Sequence, residues 1–236
     1  NHTVSNTPVG IQLIDTTNSQ IKDGDIKDNR YGIRVLYSHN NTFFNTTISH
    51  NIAGIYVYKG SGNSILDNNI SHTNGRGVFL HFSTNNTISN NTVSNNNEGI
   101  TLYSSSDNNR IYHNDMINNT LQAYDECNNT MWDNGYPSGG NYWSDFDEPG
   151  EGAYDNYNGP NQDIPGGDGI VDGSSLNPYS IPGGNNQDKY PLIPQWNMTI
   201  IPPTCSLYVN PVSGTAPLII TFSMEAHATD GTIVSW

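Results

Sequence analysis

The sequence is poor in basic residues, in cysteine and in long apolar segments. Lys and Arg number 8 against 22 Asp and Glu, and the formal net charge of −14 argues against nucleic acid or an anionic lipid surface as a partner. No apolar run approaches the roughly 20 residues that span a bilayer. Two cysteines, Cys127 and Cys205, predict one disulfide or two free thiols and are too few for a metal site of their own.

The sequence is also low in hydrophobic residues, at 33%, and in charged residues, at 13%. Such a composition would indicate disorder if it were not periodic. A glycine followed by alternating apolar residues recurs every 22 or 23 positions, and the glycines and one decayed register are Gly10, Gly32, Gly54, Gly77, Gly99 and Gln122. A short period of this kind predicts a solenoid, because one unit cannot bury its apolar face alone.

Each repeat contains three short segments with apolar residues and none with the 3.6-residue period of a helix. The first alternates with period two, as in Ile33 and Val35, and the others centre on single apolar positions such as Phe43 and Ile48. The pattern predicts an all-β fold, a right-handed parallel β-helix of about 5–6 rungs over residues 1–141. Paired asparagines predict its corners and hydrogen-bonded columns between rungs.

A segment rich in Asp, Gly and Pro, residues 142–198, follows the repeats. Between Trp143 and Leu192 it has nine acidic residues and one basic residue, Lys189. A bound hard cation would supply order here, and the carboxylates of Asp163, Asp168 and Asp172 predict a calcium site. The alternative is an Asp/Gly-rich cap in which Tyr142 and Trp143 cover the last rung.

Aromatic side chains recur at outward positions of the first strand of each repeat. Aligned rungs place them on one face, and the residues are Tyr56, Tyr58, Phe79, His81, Tyr103 and Tyr124. Exposed aromatic surface of this extent marks an interface. The face would stack on sugar rings, pack against a second copy, or lie under the carboxy-terminal segment of the same chain.

Nine Asn-x-Ser/Thr sequons predict N-glycosylation in an extracytoplasmic host, or arise by chance because the repeats are rich in Asn, Ser and Thr. The asparagines are Asn1, Asn40, Asn45, Asn69, Asn85, Asn90, Asn118, Asn128 and Asn197.

The Gly-Ile-x-Leu/Val and Asn-x-x-Ile-Ser-x-Asn patterns resemble the β-helix repeat of the NosD-like and carbohydrate-binding/sugar-hydrolase families. The segment Gly140-Asn-Tyr-Trp-Ser-Asp145 is similar to one that follows this repeat in archaeal cell-surface proteins. The family name implies copper, but His50 and His72 lack a third soft or imidazole ligand, so we expect no copper. Residues 199–236, with Asn210-Pro-Val-Ser-Gly214, resemble the first strands of a PKD-type immunoglobulin-like domain, an incomplete β segment.

The resemblance implies a structural element of an extracellular or cell-surface assembly, such as a surface layer, sheath, filament or adhesin. The chain begins within a repeat, so we expect a piece of a longer polypeptide whose partners are other copies, cell-surface proteins or glycans. A carbohydrate-binding module is the alternative. A polysaccharide lyase or hydrolase is the third possibility, but the acidic residues of the repeats are grouped only as Asp23, Asp25 and Asp28 and as Asp125 with Glu126. The first group is interpreted as a solvated charged edge.

Overall fold

The structure, a computed structural model, describes residues 2–172, 178–193, 204–210 and 221–227. The chain divides into two compact units, Asn1–Asn197 and Met198–Trp236. The first unit contains a parallel β-helix, in which each rung contributes one strand to each of three parallel sheets. The predicted fold is therefore confirmed, with about six rungs.

The three sheets run along the solenoid. The six-stranded sheet contains β2 (Val9–Ile14), β5 (Tyr31–Leu36), β8 (Ala53–Tyr58), β11 (Arg76–His81), β14 (Glu98–Tyr103) and β17 (Leu121–Asp125). The five-stranded sheet contains β3 (Gln20–Lys22), β6 (Thr42–Phe44), β9 (Ser64–Leu66), β12 (Thr87–Ser89) and β15 (Arg110–Tyr112). The seven-stranded sheet contains β1 (His2–Ser5), β4 (Gly24–Lys27), β7 (Thr47–Ser49), β10 (Asn69–Ser71), β13 (Thr92–Ser94), β16 (Asp115–Ile117) and β18 (Tyr142–Trp143).

Short elements follow the solenoid. They are a 3₁₀ turn (Pro149–Glu151) and the paired strands β19 (Tyr157–Asn158) with β20 (Ile164–Pro165) and β21 (Tyr179–Ser180) with β22 (Gln187–Asp188). In the second unit, β23 (Thr204–Asn210) and β24 (Thr221–His227) form an antiparallel pair. The remainder of the segment compared with a PKD domain lies outside the described residues. In the described ranges no helix has the length and apolar character needed to cross a membrane.

The core is a stack of buried, mostly aliphatic side chains. In the six-stranded sheet, Ile33, Ile55 and Ile100 occupy the same position of different rungs and are fully buried. Of the neighbouring outward positions, Arg34 and Tyr56 are half-buried, as the period-two alternation predicts, whereas Thr101 is buried. Equivalent inward positions of successive rungs thus form columns of buried, mostly aliphatic side chains along the centre of the solenoid.

The glycine register is a steric requirement of rung stacking. A Cβ on Gly54 would lie 2.4 Å from the carbonyl oxygen of Gly77 on the next rung and 2.8 Å from Ile70 Cγ2. A Cβ on Gly99 would meet the carbonyl oxygen of Gln122 at 2.2 Å. Gln122 itself is tolerated on the last rung, where its amide donates to Ser144 Oγ at 3.0 Å.

Paired asparagines divide two tasks between them. The first of each pair, such as Asn40, turns the backbone with a positive φ of 55° and is exposed. The second, such as Asn41, is buried and accepts a hydrogen bond from the backbone of the preceding rung. Asn is suited to the first task because it tolerates the left-handed conformation, and to the second because its amide both donates and accepts.

The buried asparagines form three axial ladders. Within each, the amide nitrogen and backbone N–H of one Asn donate to the side-chain oxygen of its counterpart on the next rung, as from Asn63 to Asn86 at 3.1 and 2.9 Å. Two ladders are complete, Asn41, Asn63, Asn86 and Asn109, and Asn68, Asn91, Asn114 and Asn141. The third consists of the pairs Asn29–Asn51 and Asn96–Asn119, which Thr73, a residue without an amide side chain, separates. The predicted columns are confirmed.

An acidic, aromatic cap closes the last rung. Trp143 is fully buried in the core cluster and its ring stacks on Tyr179 with 3.9 Å between centroids. Its indole N–H donates to Asp188 at 2.9 Å, and the indole of Trp132 donates to Asp125 at the same distance. Asp188 also accepts from the backbone N–H of Asn141, so this buried carboxylate terminates the second asparagine ladder.

Replacing Asn91 with Ala is expected to destabilise the solenoid severely. The amide of Asn91 donates to Ile65 O, Ser89 O and Asn114 Oδ1, and its oxygen accepts from Asn68. Removing it leaves several buried polar atoms unpaired, at a cost of roughly 3–5 kcal/mol in the free energy of unfolding. Urea denaturation measures this loss.

The matched control is Asn97→Ala, at an exposed position of the next corner. Its unfolding free energy should stay within about 0.5 kcal/mol of the unmodified chain. Equal losses for the two variants would contradict a structural role of the ladder.

Asp188 should make stability depend on pH. Burial raises the pKa of this carboxyl to about 7, although backbone and indole N–H groups favour its ionised form. A carboxyl whose pKa is higher in the folded state contributes stability that is complete below its unfolded value near 4 and is lost as pH rises through 7. Unfolding free energies at pH 4 to 8 should therefore fall further for the unmodified chain than for Asp188→Asn. Parallel pH profiles would contradict this.

Candidate functional site

The outward face of the six-stranded sheet has a continuous aromatic strip, comprising Tyr31, Tyr56, Tyr58, Phe79, His81, Tyr103 and Tyr124. Ring centroids of Tyr31 and Tyr56 lie 5.8 Å apart, those of Tyr56 and Phe79 4.9 Å, and those of Tyr103 and Tyr124 4.8 Å, all with nearly parallel planes. Centroids at these distances belong to offset rather than eclipsed rings, so part of each ring face stays open. The predicted alignment of the aromatic residues is confirmed.

A groove of about 380 Å³ lies beside the strip. It is lined by Arg30, Tyr31, Ile52, Ala53, Tyr56, Gly75, Arg76, Phe79 and Glu98. Ala53 pairs with Tyr31 of the preceding rung, so a methyl group stands where its neighbour has a ring and the surface is depressed there.

One wall of the groove contains a residue that is inserted relative to the preceding rung. Ser71 pairs with Ser49, 22 residues earlier, but Val78 pairs with Ile55, 23 residues earlier. The additional residue is therefore inserted between Ser71 and Val78, the stretch that contains Gly75 and Arg76. Among the glycine spacings from Gly10 to Gly99, the single spacing of 23 residues, from Gly54 to Gly77, thus includes the residues of this wall.

Arg76 is held at one end of the groove. Its Nε lies 2.8 Å from Glu98 Oε2, and its guanidinium stacks over Phe79 and Tyr103 at 4.4 and 4.9 Å from the ring centroids. The cation–π contacts and the ion pair fix this side chain. Its charge is balanced by Glu98.

Two further arginines contact the ring of Tyr31 at the other end, where Arg30 lines the groove and Arg34 lies outside its lining. The guanidinium carbons of Arg30 and Arg34 lie 5.6 and 5.4 Å from its centroid. Arg34 donates one long hydrogen bond, 3.5 Å, to the neutral Gln12, and its Nε is buried with no hydrogen-bond partner within the described ranges. Ion pairs between described residues are Lys27–Asp25 and Arg76–Glu98, so neither Arg30 nor Arg34 has a carboxylate partner there.

Two titratable groups of the strip are in contact. The Tyr56 hydroxyl lies 3.4 Å from His81 Nδ1. Burial, and then the neighbouring tyrosines, raise the pKa of Tyr56, whereas burial and the charge of Arg76 lower the pKa of His81. Both groups are therefore neutral at pH 7, and His81 can accept a proton.

The predicted calcium ligands are not assembled into a cation site. Asp172 accepts from the backbone N–H groups of Asn156 and Tyr157, Asp168 accepts from Ile170 N and Gln162 Nε2, and Asp163 is exposed. Across the part of the chain that the structure describes, no group of three or more His, Cys, Asp or Glu side chains is placed to hold a metal ion. Asp168 and Asp172 instead accept hydrogen bonds from groups within the cap.

The two histidines compared with a copper site, His50 and His72, are both exposed. The rings of His50 and His72 stack with centroids 5.1 Å apart and planes 5° from parallel, so the two side chains do meet. Parallel rings direct their in-plane nitrogen lone pairs side by side rather than at one point, and a third ligand is not in place among the described residues. These residues do not fit a copper centre.

Of the two cysteines that would form the predicted disulfide, Cys127 is a free, buried thiol in this structure. Its Sγ accepts a hydrogen bond from Ser106 N, and burial raises the pKa of the thiol to about 12. The side chain of Cys205 lies outside the described residues.

The sequons lie away from the aromatic strip. Asn40, Asn45, Asn69, Asn85, Asn118 and Asn128 are exposed and Asn90 is half-buried, and none of these seven is on a strand of the six-stranded sheet. Asn1 and Asn197 lie outside the described residues.

Sequence reasoning missed Tyr31, Arg34 and Arg76 as parts of the site and Asp155 as a part of the cap. Tyr31 and Arg76 immediately precede glycines of the register, and Arg34 has the same register position as Tyr56. The strand period, extended by one residue before each glycine, would have found all three. Asp155 accepts from Asp168 N and Gly169 N, a contact between loops that no local pattern indicates.

Two solved structures are similar to part of this chain. A mutant of the periplasmic alginate epimerase AlgG matches with a TM-score of 0.50 and 24% identity, over 53% of this chain and 32% of that one. The mannuronan C-5 epimerase AlgE6 A-module of Azotobacter vinelandii matches with a TM-score of 0.45 and 19% identity, over 55% and 47% of the two chains. This chain thus spans less than half of the length of each of these proteins, and the likeness to the AlgG mutant shows the fold alone.

No curated protein matches the chain. The family described as periplasmic copper-binding protein (NosD) matches residues 1–148, which contain every rung of the solenoid, the aromatic strip and the groove. The chain therefore belongs to the NosD family.

Proposed function

We infer that the chain is a rigid, non-catalytic module of a periplasmic or cell-surface protein, and that its aromatic face binds polysaccharide. The observation that supports this most is the groove beside the offset rings of Tyr31, Tyr56 and Phe79. Sugar rings present C–H faces that pack on aromatic rings and hydroxyls that hydrogen-bond at ring edges. A linear polysaccharide along the sheet would meet aromatic side chains on successive rungs.

The rigidity of the solenoid supports a structural role of the same module. Asparagine ladders and aliphatic stacking fix every rung to its neighbours, so the binding face is formed before a ligand arrives. A preformed surface binds at a smaller entropic cost than a flexible one. The structural role in a surface layer, sheath, filament or adhesin, predicted from the sequence, is retained as part of this proposal.

The location is inferred from the family description, which is periplasmic. The family description also names copper binding, but His50 and His72, the residues that the structure places together, do not fit a copper centre.

Tyr56→Ala should abolish most polysaccharide binding, since Tyr56 is the ring that contacts both Tyr31 and Phe79 and lines the groove. We expect the dissociation constant to rise about tenfold or more, the effect of roughly 1.4 kcal/mol. A glycan array identifies the ligand and isothermal titration calorimetry measures the change.

Tyr154→Ala is the matched control, because Tyr154 is a 49% exposed tyrosine of the cap. Circular dichroism and urea denaturation verify that both variants fold. Unchanged binding by folded Tyr56→Ala would overturn the proposed binding face.

A polysaccharide-modifying enzyme is the second candidate function, and the specific observation that favours it is the contact between Tyr56 and the neutral His81 at the strip. A neutral imidazole beside a tyrosine hydroxyl can serve as a general base and acid. The matched structures in which this fold occurs are epimerases of alginate and mannuronan.

The two candidates differ in the outcome for His81→Ala. With a uronate polymer in deuterated water, an enzyme would introduce deuterium at sugar carbons, detected by nuclear magnetic resonance, and His81→Ala would stop the exchange. We expect no exchange for the unmodified chain, and binding by His81→Ala within about threefold of it, less than 1 kcal/mol. Exchange that depends on His81 would replace the non-catalytic proposal.

A further inference from the structure

We propose that the groove selects carboxylated polysaccharides, and that Arg30 and Arg34 determine this selectivity. The inference rests on the proposed function, because it names the class of polysaccharide that the aromatic face takes.

The distribution of arginine points to an anionic ligand. The sequence has four arginines, and Arg30, Arg34 and Arg76 all stand against the aromatic strip. In a chain of net charge −14, acidic partners for arginine are abundant. Arg30 and Arg34 nevertheless have no carboxylate partner in the described part of the chain, whereas Arg76 has one in Glu98.

The surroundings of the Arg30 and Arg34 side chains favour the binding of an anion. Both pack against the ring of Tyr31, which restricts their rotamers. Arg34 is also left with a buried Nε that has no partner among the described residues and a 3.5 Å bond to Gln12. A carboxylate that accepts from the guanidinium fork in the bidentate geometry would replace that weak bond with two charge-assisted ones.

The groove places such a carboxylate beside a stacked sugar ring. Arg30 and Tyr31 line one end and the neutralised Arg76–Glu98 pair lines the other, with the methyl of Ala53 and the ring of Tyr56 between them. The end near Tyr31 is therefore positive and the opposite end is neutral. This polarity fits a uronic acid residue at the Tyr31 end, with its ring on Tyr56.

The net negative charge of the chain does not prevent this binding. At physiological ionic strength the Debye length is about 8 Å, so distant carboxylates are largely screened while direct contacts to the two arginines are not. Selectivity for an anion is thus a local property of the groove.

The test uses oligogalacturonate and its fully methyl-esterified form, which share ring and linkage and differ in charge. We expect the unmodified chain to bind the acid form about tenfold more tightly than the ester in titration calorimetry, a difference of about 1.4 kcal/mol. The double substitution Arg30→Gln with Arg34→Gln should remove this preference and leave ester binding within about twofold. The control Arg110→Gln, at the one remaining arginine, which donates to Asn134 instead, should keep the preference.

The outcomes separate this inference from the proposed function. Equal binding of acid and ester by the unmodified chain, or a preference that survives the double substitution, overturns the selectivity while leaving the binding face. Loss of both ligands in Tyr56→Ala, with a preference lost only in the arginine variant, supports both. No binding of either form by the unmodified chain overturns both.

Discussion

Hydrogen bonds between buried asparagines on successive rungs hold the corners of the solenoid together. A corner of a narrow β-helix buries backbone groups that no strand pairing satisfies, and each unpaired group costs about 1–3 kcal/mol. The ladders satisfy them with one side chain per corner, as Asn91 does for Ile65, Ser89 and Asn114. The arrangement also needs an end, and the fully buried Asp188 provides it by accepting from Asn141 and Trp143.

Regular stacking explains which features the sequence predicts. A residue on one rung has the same environment as its counterpart 22 or 23 positions away, so period alone assigns the core positions, the asparagine columns and the aromatic alignment. The glycine register has the same origin, since the carbonyl oxygen of Gly77 leaves no room for a Cβ on Gly54. All of these predicted features depend on contacts that recur from rung to rung.

Contacts that occur once were not predictable in this way. The cap joins Asp188 to Asn141 and Asp155 to Gly169, partners that are far apart in sequence and belong to no period. Asp168, one of the predicted calcium ligands, makes a local Asx-type bond to Ile170 N, whereas Asp172 accepts from Asn156 N in another loop of the cap. The groove, too, depends on which side chains of different rungs meet around one small residue, Ala53.

The position of the groove follows from this contrast between repeated and single contacts. A perfectly periodic face offers every ligand the same site on each rung and so favours no register. The inserted residue between Ser71 and Val78 breaks that equivalence in the stretch that contains Gly75, which lines the groove together with Arg76 and Phe79. The ladders on either side keep their bonds across the insertion, from Asn63 to Asn86 and from Asn68 to Asn91. Because two of the three asparagine ladders keep their bonds across the insertion, the additional residue changes the surface of this rung without breaking them.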